Sequence, residues 1–222
     1  MKTVEYDRAA AAEYAMTWAY LRNPRYLAFD SLGGDCTNFV SQCVYAGCRV
    51  MNRTPVYGWY YDSADDRTAS WSGVEFFYNF ITTNEGEGPF GRIVPVRLAM
   101  TGDVVQLGDE RGRFYHSLII AYISGEADFD TVRVCAHDFD ANLKLLSSYS
   151  FAEARFIHIE GARVQPLTES RSSRYSIRSA SVPSADKAPS SPSLGEASVS
   201  PLSPREAMWN VMGLFSSSMA GA

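Results

Sequence analysis

Cys36 stands in the run Gly33-Gly34-Asp35-Cys36-Thr37-Asn38-Phe39. After this turn Phe39, Val40, Cys43, Val44 and Gly47 recur at helical spacing. A helix that begins at or beside Cys36 and closes at Ala46-Gly47 puts the sulfur at the positive end of the helix dipole, with backbone N–H groups free to face it. Such a position, with an imidazolium nearby, can lower a cysteine pKa from ~8.5 into the range ~3.5 to 7.5, which supplies a thiolate nucleophile at neutral pH. The same N–H groups, that of Cys36 among them, can hold the oxyanion of a tetrahedral intermediate. The other fate of a free cysteine is that of a small buried hydrophobe.

A nucleophilic thiol needs a base, and the chain has three histidines. His116 lies in Phe114-Tyr115-His116-Ser117-Leu118-Ile119-Ile120, a strand-like run that must pack on the Cys36 helix and so brings the imidazole within reach of the thiol. On a strand His116 shares a face with Leu118 and Ile120, which also allows a core histidine bonded to backbone. His137 ends the next run, Val132 to Asp138, where a neighbouring strand can set it beside His116 to orient the ring. Asp138 alternates to the other face, unless a bulge at the strand end presents it instead; His137 is preferred for the third role, with Asp138 the alternative. His158, in Phe156-Ile157-His158-Ile159, reads as structural.

Other chemistries fit less well. Cys36, Cys43, Cys48 and Cys135 form no Cys-x-x-Cys pair, and Cys135-Ala136-His137 lacks a second close pair to complete a tetrahedral zinc set. The His-x-Glu with Pro-Cys-x-x-Cys of a zinc deaminase, the Gly-x-Ser-x-Gly elbow and the phosphate-binding loop are all missing from the sequence. Asp65-Asp66 and Asp109-Glu110 fall in polar loops and read as solvated turns, not as a glycosidase pair. No cofactor and no metal is called for. The aromatics Trp59-Tyr60-Tyr61 and Trp71 read either as loop packing or as a substrate-cleft wall, with Asp35 and Trp71 as the cleft candidates.

The elements that must position these groups follow from pattern. Tyr6 to Leu21 is Ala-rich and places Tyr14, Ala15, Trp18 and Leu21 on one helical face before Asn23-Pro24 stops it. Residues 50–73 read as an aromatic loop region and Val74 to Thr82 as a helix. Beyond the Gly-Pro turns near Gly86 to Pro89, the runs Asp103–Leu107, Phe114–Ile123, Thr131–His137 and Arg155–Ile159 read as strands. Helices first and strands second predict an α+β domain with an antiparallel sheet.

The 222 residues suffice for one well-packed domain, with 46% hydrophobic residues and a net charge of −5. Residues 1–162 carry −7, so this acidic body does not read as a nucleic-acid binder. From Glu169 to Pro204 the chain has 13 Ser and 5 Pro, and residues 163–204 are predicted to be a disordered linker. Ser203-Pro204-Arg205-Glu206 has the form of a capping box, and Met208, Val211, Met212 and Phe215 follow at helical spacing. Residues 205–222 are thus predicted to carry a short amphipathic helix, 205–215, that docks on its own domain or on a partner. No run reaches the ~18 apolar residues of a transmembrane span. The opening Met1-Lys2-Thr3-Val4-Glu5 carries charge where a secretory peptide would be apolar. The expected location is therefore cytoplasmic, unless export takes a route independent of a signal peptide.

The block Gly33-Gly34-Asp35-Cys36-Thr37-Asn38-Phe39-Val40-Ser41-Gln42-Cys43 resembles the bacterial putative amidase domain family. So do Tyr6-Asp7-Arg8, Arg22-Asn23-Pro24, Trp71-Ser72-Gly73-Val74, Gly102-Asp103-Val104-Val105-Gln106 and His116-Ser117, which fall in the family's order. The resemblance spans roughly residues 5–160. It implies a papain-like fold and a cysteine amidohydrolase that cuts an amide bond in peptides or muropeptides. Cys36 would be its nucleophile, His116 its base and His137 its polar third residue. The family usually continues His-Thr where this chain has His137-Asp138.

Overall fold

The computed structural model describes residues 1–166. The rest of the predicted linker, from residue 167, and the segment 205–222 with its predicted helix lie outside the described residues. Asp7 accepts a hydrogen bond from the Ala10 backbone N–H at 2.9 Å and thereby starts α1 (Arg8–Trp18). This cap makes α1 shorter than the Tyr6–Leu21 span that periodicity predicts, and Leu21 ends exposed. The face of α1 that packs is small, with Ala11, Ala12 and Ala15 buried, which lets it lie close to its neighbour.

That neighbour is α2 (Cys36–Cys48), in which every residue but Tyr45 is buried. Its buried polar residues Thr37, Asn38, Ser41 and Gln42 are hydrogen-bonded, to Ser117, Trp71, Trp59 and Tyr14, which lets the whole helix lie in the centre of the domain. Gly47 does not end α2. It faces the Tyr6 ring, which a Cβ there would strike, and the turn comes two residues later at Arg49, whose φ of 58° lies in the left-handed region.

The aromatics of residues 50–73 brace α2 from outside. Trp59 and Trp71 are fully buried with ring centroids 4.7 Å apart, and their indole N–H groups donate to Ser41 Oγ at 3.1 Å and Asn38 Oδ1 at 2.9 Å. Both partners are α2 side chains, so these rings hold the helix in register as well as fill space. Two short helices follow, α3 (Ala69–Ser72) and α4 (Val74–Thr83).

The sheet is antiparallel throughout and has seven strands: β1 (Lys2–Val4), β2 (Gly88–Val94), β3 (Val104–Gly108), β4 (Phe114–Ile123), β5 (Val132–Ala136), β6 (Ala141–Leu145) and β7 (Glu153–Val164). Its order is β1-β7-β3-β4-β5-β6. β7 carries β3 and β1 along one edge and β2 along the other. Residues 163 and 164, which composition assigns to the linker, therefore close the last strand.

The helices cover one face of the sheet. There Phe39, Val40, Cys43 and Val44 meet Val104, Ile119, Ala121, Cys135 and Ile157. On the other face Leu107, Leu118, Ile120, Val134 and Phe156 pack under loops and a single turn of 3-10 helix that bring in Leu146, Tyr149 and Phe151. Truncating a buried Leu or Ile such as Leu118 or Ile119 to Ala typically costs about 2 to 5 kcal/mol. The α+β architecture with an antiparallel sheet is as the sequence predicts.

Candidate active site

The site forms where the sheet leaves a gap. β5 pairs with β4 only from Ile119 to Ile123, so the Phe114–Leu118 stretch has no β5 neighbour on that side. The first turn of α2 fills the opening. Thr37 Oγ1 lies 3.0 Å from Ser117 Oγ, which accepts from Gln106 Nε2 at 3.1 Å, and 3.8 Å from the Cys36 sulfur. The helix packs on the Ile119 face of β4, whereas His116 projects with Leu118 and Ile120 from the opposite face. Cys36 and His116 thus meet around the open edge of the strand, not across the packed face of the sheet.

Asp138 completes the group. Cys36 Sγ, a His116 ring nitrogen and an Asp138 carboxylate oxygen all lie within 4.8 Å of one another. These three residues are of metal-ligating type, and among the described residues they are the group whose ligand atoms come close enough to share an ion. Cys135 and His137 do not converge, since Cys135 Sγ faces Asn142 at 3.4 Å and His137 faces Asp35.

The third residue expected from sequence requires correction. Both His137 ring nitrogens are engaged elsewhere, Nδ1 at 2.5 Å from Asp35 Oδ2 and Nε2 at 2.9 Å from the Trp18 carbonyl, and the ring stacks on Phe39. The reason lies in the end of β5. After Ala136 the chain enters the left-handed region at Asp138 (φ 59°) and Phe139 (φ 75°), which turns Asp138 toward Cys36 and His137 inward.

Asp35 and Trp71, the cleft candidates, are also interior. Asp35 is fully buried, and Oδ1 accepts from the Phe29 N–H and from Asn38 Nδ2, each at 2.8 Å. Trp71 is fully buried among Tyr26, Trp59 and Tyr61. His158 lies apart from this group, on β7. Its Nδ1 lies 2.8 Å from Asp103, which Arg8 also pairs at 2.6 Å.

A cavity of about 430 Å³ opens beside the group, lined by His116, Asp138, Phe139, Lys144 and Tyr149 among others. Lys144 Nζ lies 4.0 Å from the centre of the Tyr149 ring. Lys144 and Tyr149 carry no sequence signal: they stand on β6 and the turn after it, in a stretch whose Ala-Asn-Leu-Lys-Leu pattern is too weak to mark a strand.

Electrostatics place the thiol in its neutral form. Burial pushes the Cys36 thiol up to about 11; the Asp138 carboxylate adds to that, while the Ser117 N–H and the Thr37 hydroxyl pull it back. Burial moves the His116 imidazole below its ordinary value, Lys144 adds to this, and Asp138 opposes it. His116 Nε2 is buried and has no hydrogen-bond partner among the described residues. The thiolate expected at a bare helix N-terminus is therefore not favoured here, first because the sulfur is buried and then because a carboxylate stands at that terminus.

A family model described as a putative amidase domain matches residues 5–159. The chain belongs to this family. The matched span takes in Cys36, His116 and Asp138 together with α1–α4 and nearly the whole sheet, and the family's description implies amidase-type hydrolysis. The chain is also similar to a Bacillus subtilis (strain 168) protein whose printed name is Uncharacterized protein YhbB, at 30% identity over 122 residues. That alignment covers 54% of this chain and 38% of the relative's length. No solved structure matches the chain. Among the described residues no helix is long and apolar enough to cross a membrane.

Proposed function

We propose that this domain is a papain-like cysteine amidohydrolase in which Cys36 attacks an amide carbonyl. The observation that carries the reading is the convergence of a thiol at a helix N-terminus, an imidazole without a hydrogen bond at Nε2 and a carboxylate, all within 4.8 Å, beside an open cavity. His116 takes the Cys36 proton as the sulfur adds to the carbonyl carbon, and the oxygen gathers negative charge. His116 then gives that proton to the departing amine, the C–N bond breaks, and water cleaves the thioester to return the acid and the free thiol. A buried imidazole that stays neutral near pH 7 suits the first step, since it must accept a proton.

The family's description supports an amide as substrate, and the cavity, with Tyr115, Phe139, Lys144 and Tyr149 in its lining, supports our choice of a peptide or muropeptide amide. Incubation with peptide amides and with muropeptides, read by mass spectrometry, tests this reading. Release of an amine by the native chain and its loss in Cys36→Ser and His116→Ala supports it; an unchanged substrate pool with both substrate types sinks it.

A second reading is a papain-like module that binds a peptide or cell-wall partner without turnover. What favours it is the neutral Cys36 thiol and the engagement of its own N–H by Asp138. In that case a muropeptide or peptide amide binds the native chain and is recovered intact.

A further inference from the structure

Two of the backbone N–H groups at the start of α2, those of Asp35 and Cys36, are already taken. Asp138 Oδ1 accepts from the Asp35 N–H at 2.7 Å, and Oδ2 accepts from the Cys36 N–H at 3.1 Å. We propose that the Asp138 side chain is an internal ligand of a carboxylate and oxyanion site at the nucleophile, which a substrate carbonyl or a free carboxylate must displace. The proposal rests on Cys36 being the nucleophile.

The site is built to admit this group. Gly34 has φ +117°, and a Cβ there would lie 2.5 Å from Asp138 Oδ2 and 3.4 Å from its Cγ, so a side chain at position 34 would exclude the carboxylate. Gly33, at φ +113°, has no such neighbour within 4 Å. The glycine pair thus combines a turn requirement at both positions with a clearance requirement at one.

The arm that delivers the carboxylate is under strain. Asp138 and Phe139 are consecutive non-glycine residues in the left-handed region. Asp tolerates that region through local hydrogen bonding, but Phe does not. Phe139 is also 91% exposed at the tip of the turn, so little packing opposes its release. The turn is anchored on either side of its tip, by His137 on Asp35 and by Asp140 on Arg22 at 2.8 Å, so the Asp138 carboxylate can leave the two N–H groups while the ends of the turn stay in place.

The groups that face the site agree in chemistry. From β4 comes the His116 ring, 8% exposed and without a partner at Nε2. From β6 and the turn after it come Lys144 and Tyr149, whose hydroxyl is also buried without a partner. α2 adds Thr37. Apart from Asp138 no carboxylate joins them at this cavity. A group with two acceptor oxygens suits this array, and the acid released by amide hydrolysis has the same chemistry as the Asp138 side chain. Because Asp138 is tethered, it competes at a high effective concentration, so the native chain binds a free carboxylate weakly.

Iodoacetamide alkylation of Cys36 against pH, read peptide by peptide, tests this without requiring turnover. Cys43, Cys48 and Cys135, all buried, serve as internal references for folding. In Asp138→Asn and Asp138→Ala the midpoint of Cys36 alkylation should fall by about one pH unit or more. Each unit raises the thiolate fraction about tenfold and gives back about threefold in nucleophilicity, so the rate at pH 7 rises about threefold per unit. In Asp138→Ala sodium formate should slow the alkylation relative to sodium chloride at equal ionic strength, and should do so far less in the native chain. A midpoint that stays or rises in both variants overturns the proposal and makes Asp138 a positioning partner of His116. Equal protection by formate in native and variant chains, or none in either, overturns the carboxylate site. If no amide is cleaved by any form and yet the midpoint falls, the hydrolase reading fails and the internal ligand stands.

Discussion

The His137 ring stacks on Phe39 with centroids 3.9 Å apart while its Nδ1 meets Asp35 Oδ2 at 2.5 Å. Asp35 is the residue before Cys36, and its carboxylate also takes the Phe29 N–H and the Asn38 amide. His137 therefore fixes the turn that carries Cys36, not the ring of His116. Removing either partner breaks a buried hydrogen bond and leaves the other group one partner short, a loss of about 1 to 3 kcal/mol. His137→Ala and Asp35→Ala should each lower the urea midpoint by an amount of that order, with a double variant that costs less than the sum. If His137→Ala instead left stability within experimental scatter and abolished activity, the orienting role predicted from sequence would be restored.

Gly34→Ala and Gly33→Ala separate clearance from conformation. Both residues occupy a region that L side chains rarely adopt, so each variant should lose about 1 to 3 kcal/mol in denaturant unfolding. Only Gly34→Ala displaces the Asp138 carboxylate. Its Cys36 should therefore alkylate faster at pH 7 than that of Gly33→Ala, although the two fold with similar stability. Equal Cys36 rates in both variants would show that Asp138 does not respond to position 34.

The four thiols predict the alkaline limb of the stability curve. Cys36 is pushed up to about 11 and Cys48 up to about 12, Cys43 lies well above its ordinary value and Cys135 is raised, in each case by burial first. In the unfolded chain each thiol ionises near pH ~8.5, so above that pH the unfolded state holds fewer protons and unfolding becomes easier. The contribution of each thiol is fully present below pH ~8.5 and falls by up to about 1.4 kcal/mol per pH unit until its folded value is reached. Urea unfolding at pH 8, 9 and 10 should show this decline, and Cys48→Ala should make it shallower. A curve flat from pH 8 to pH 10 would mean that these thiols ionise alike in both states.

The chemistry-bearing motif was legible because it is local. Gly33-Gly34-Asp35-Cys36 and the helix it opens depend on turn and helix rules within a dozen residues, and α2 begins at Cys36. The long strand with His116 was legible for the same reason. What failed was any inference that needed the path around a strand end. Strict alternation sends His137 and Asp138 to opposite faces but does not tell which way the chain turns after Ala136, and two left-handed residues reversed the choice. The short edge strands were invisible too: β1 has three residues, two of them exposed, and β2 opens with Gly-Pro. Such strands form because β7 offers them free N–H and C=O groups, a tertiary cause that local propensity does not record.

His116 should show the opposite balance to His137. Its ring is buried, its Nε2 has no partner among the described residues, and burial holds it below the ordinary imidazole value. A buried polar atom left unbonded costs about 1 to 3 kcal/mol, so His116→Ala recovers part of what the lost packing removes, and its net effect on unfolding should stay within about 1 kcal/mol near neutral pH. The sign with pH follows from the lowered value. The folded state favours the neutral ring, so the contribution of His116 is present above the unfolded pKa of ~6.5 and is lost as pH falls toward the folded one. The native chain should therefore lose stability between pH 7 and pH 5 more steeply than His116→Ala, while the variant releases no amine from any amide the native chain cleaves. Parallel stability curves for the two chains over that range would mean that the imidazole is solvated, and the case for a neutral base poised beside Cys36 would go with it.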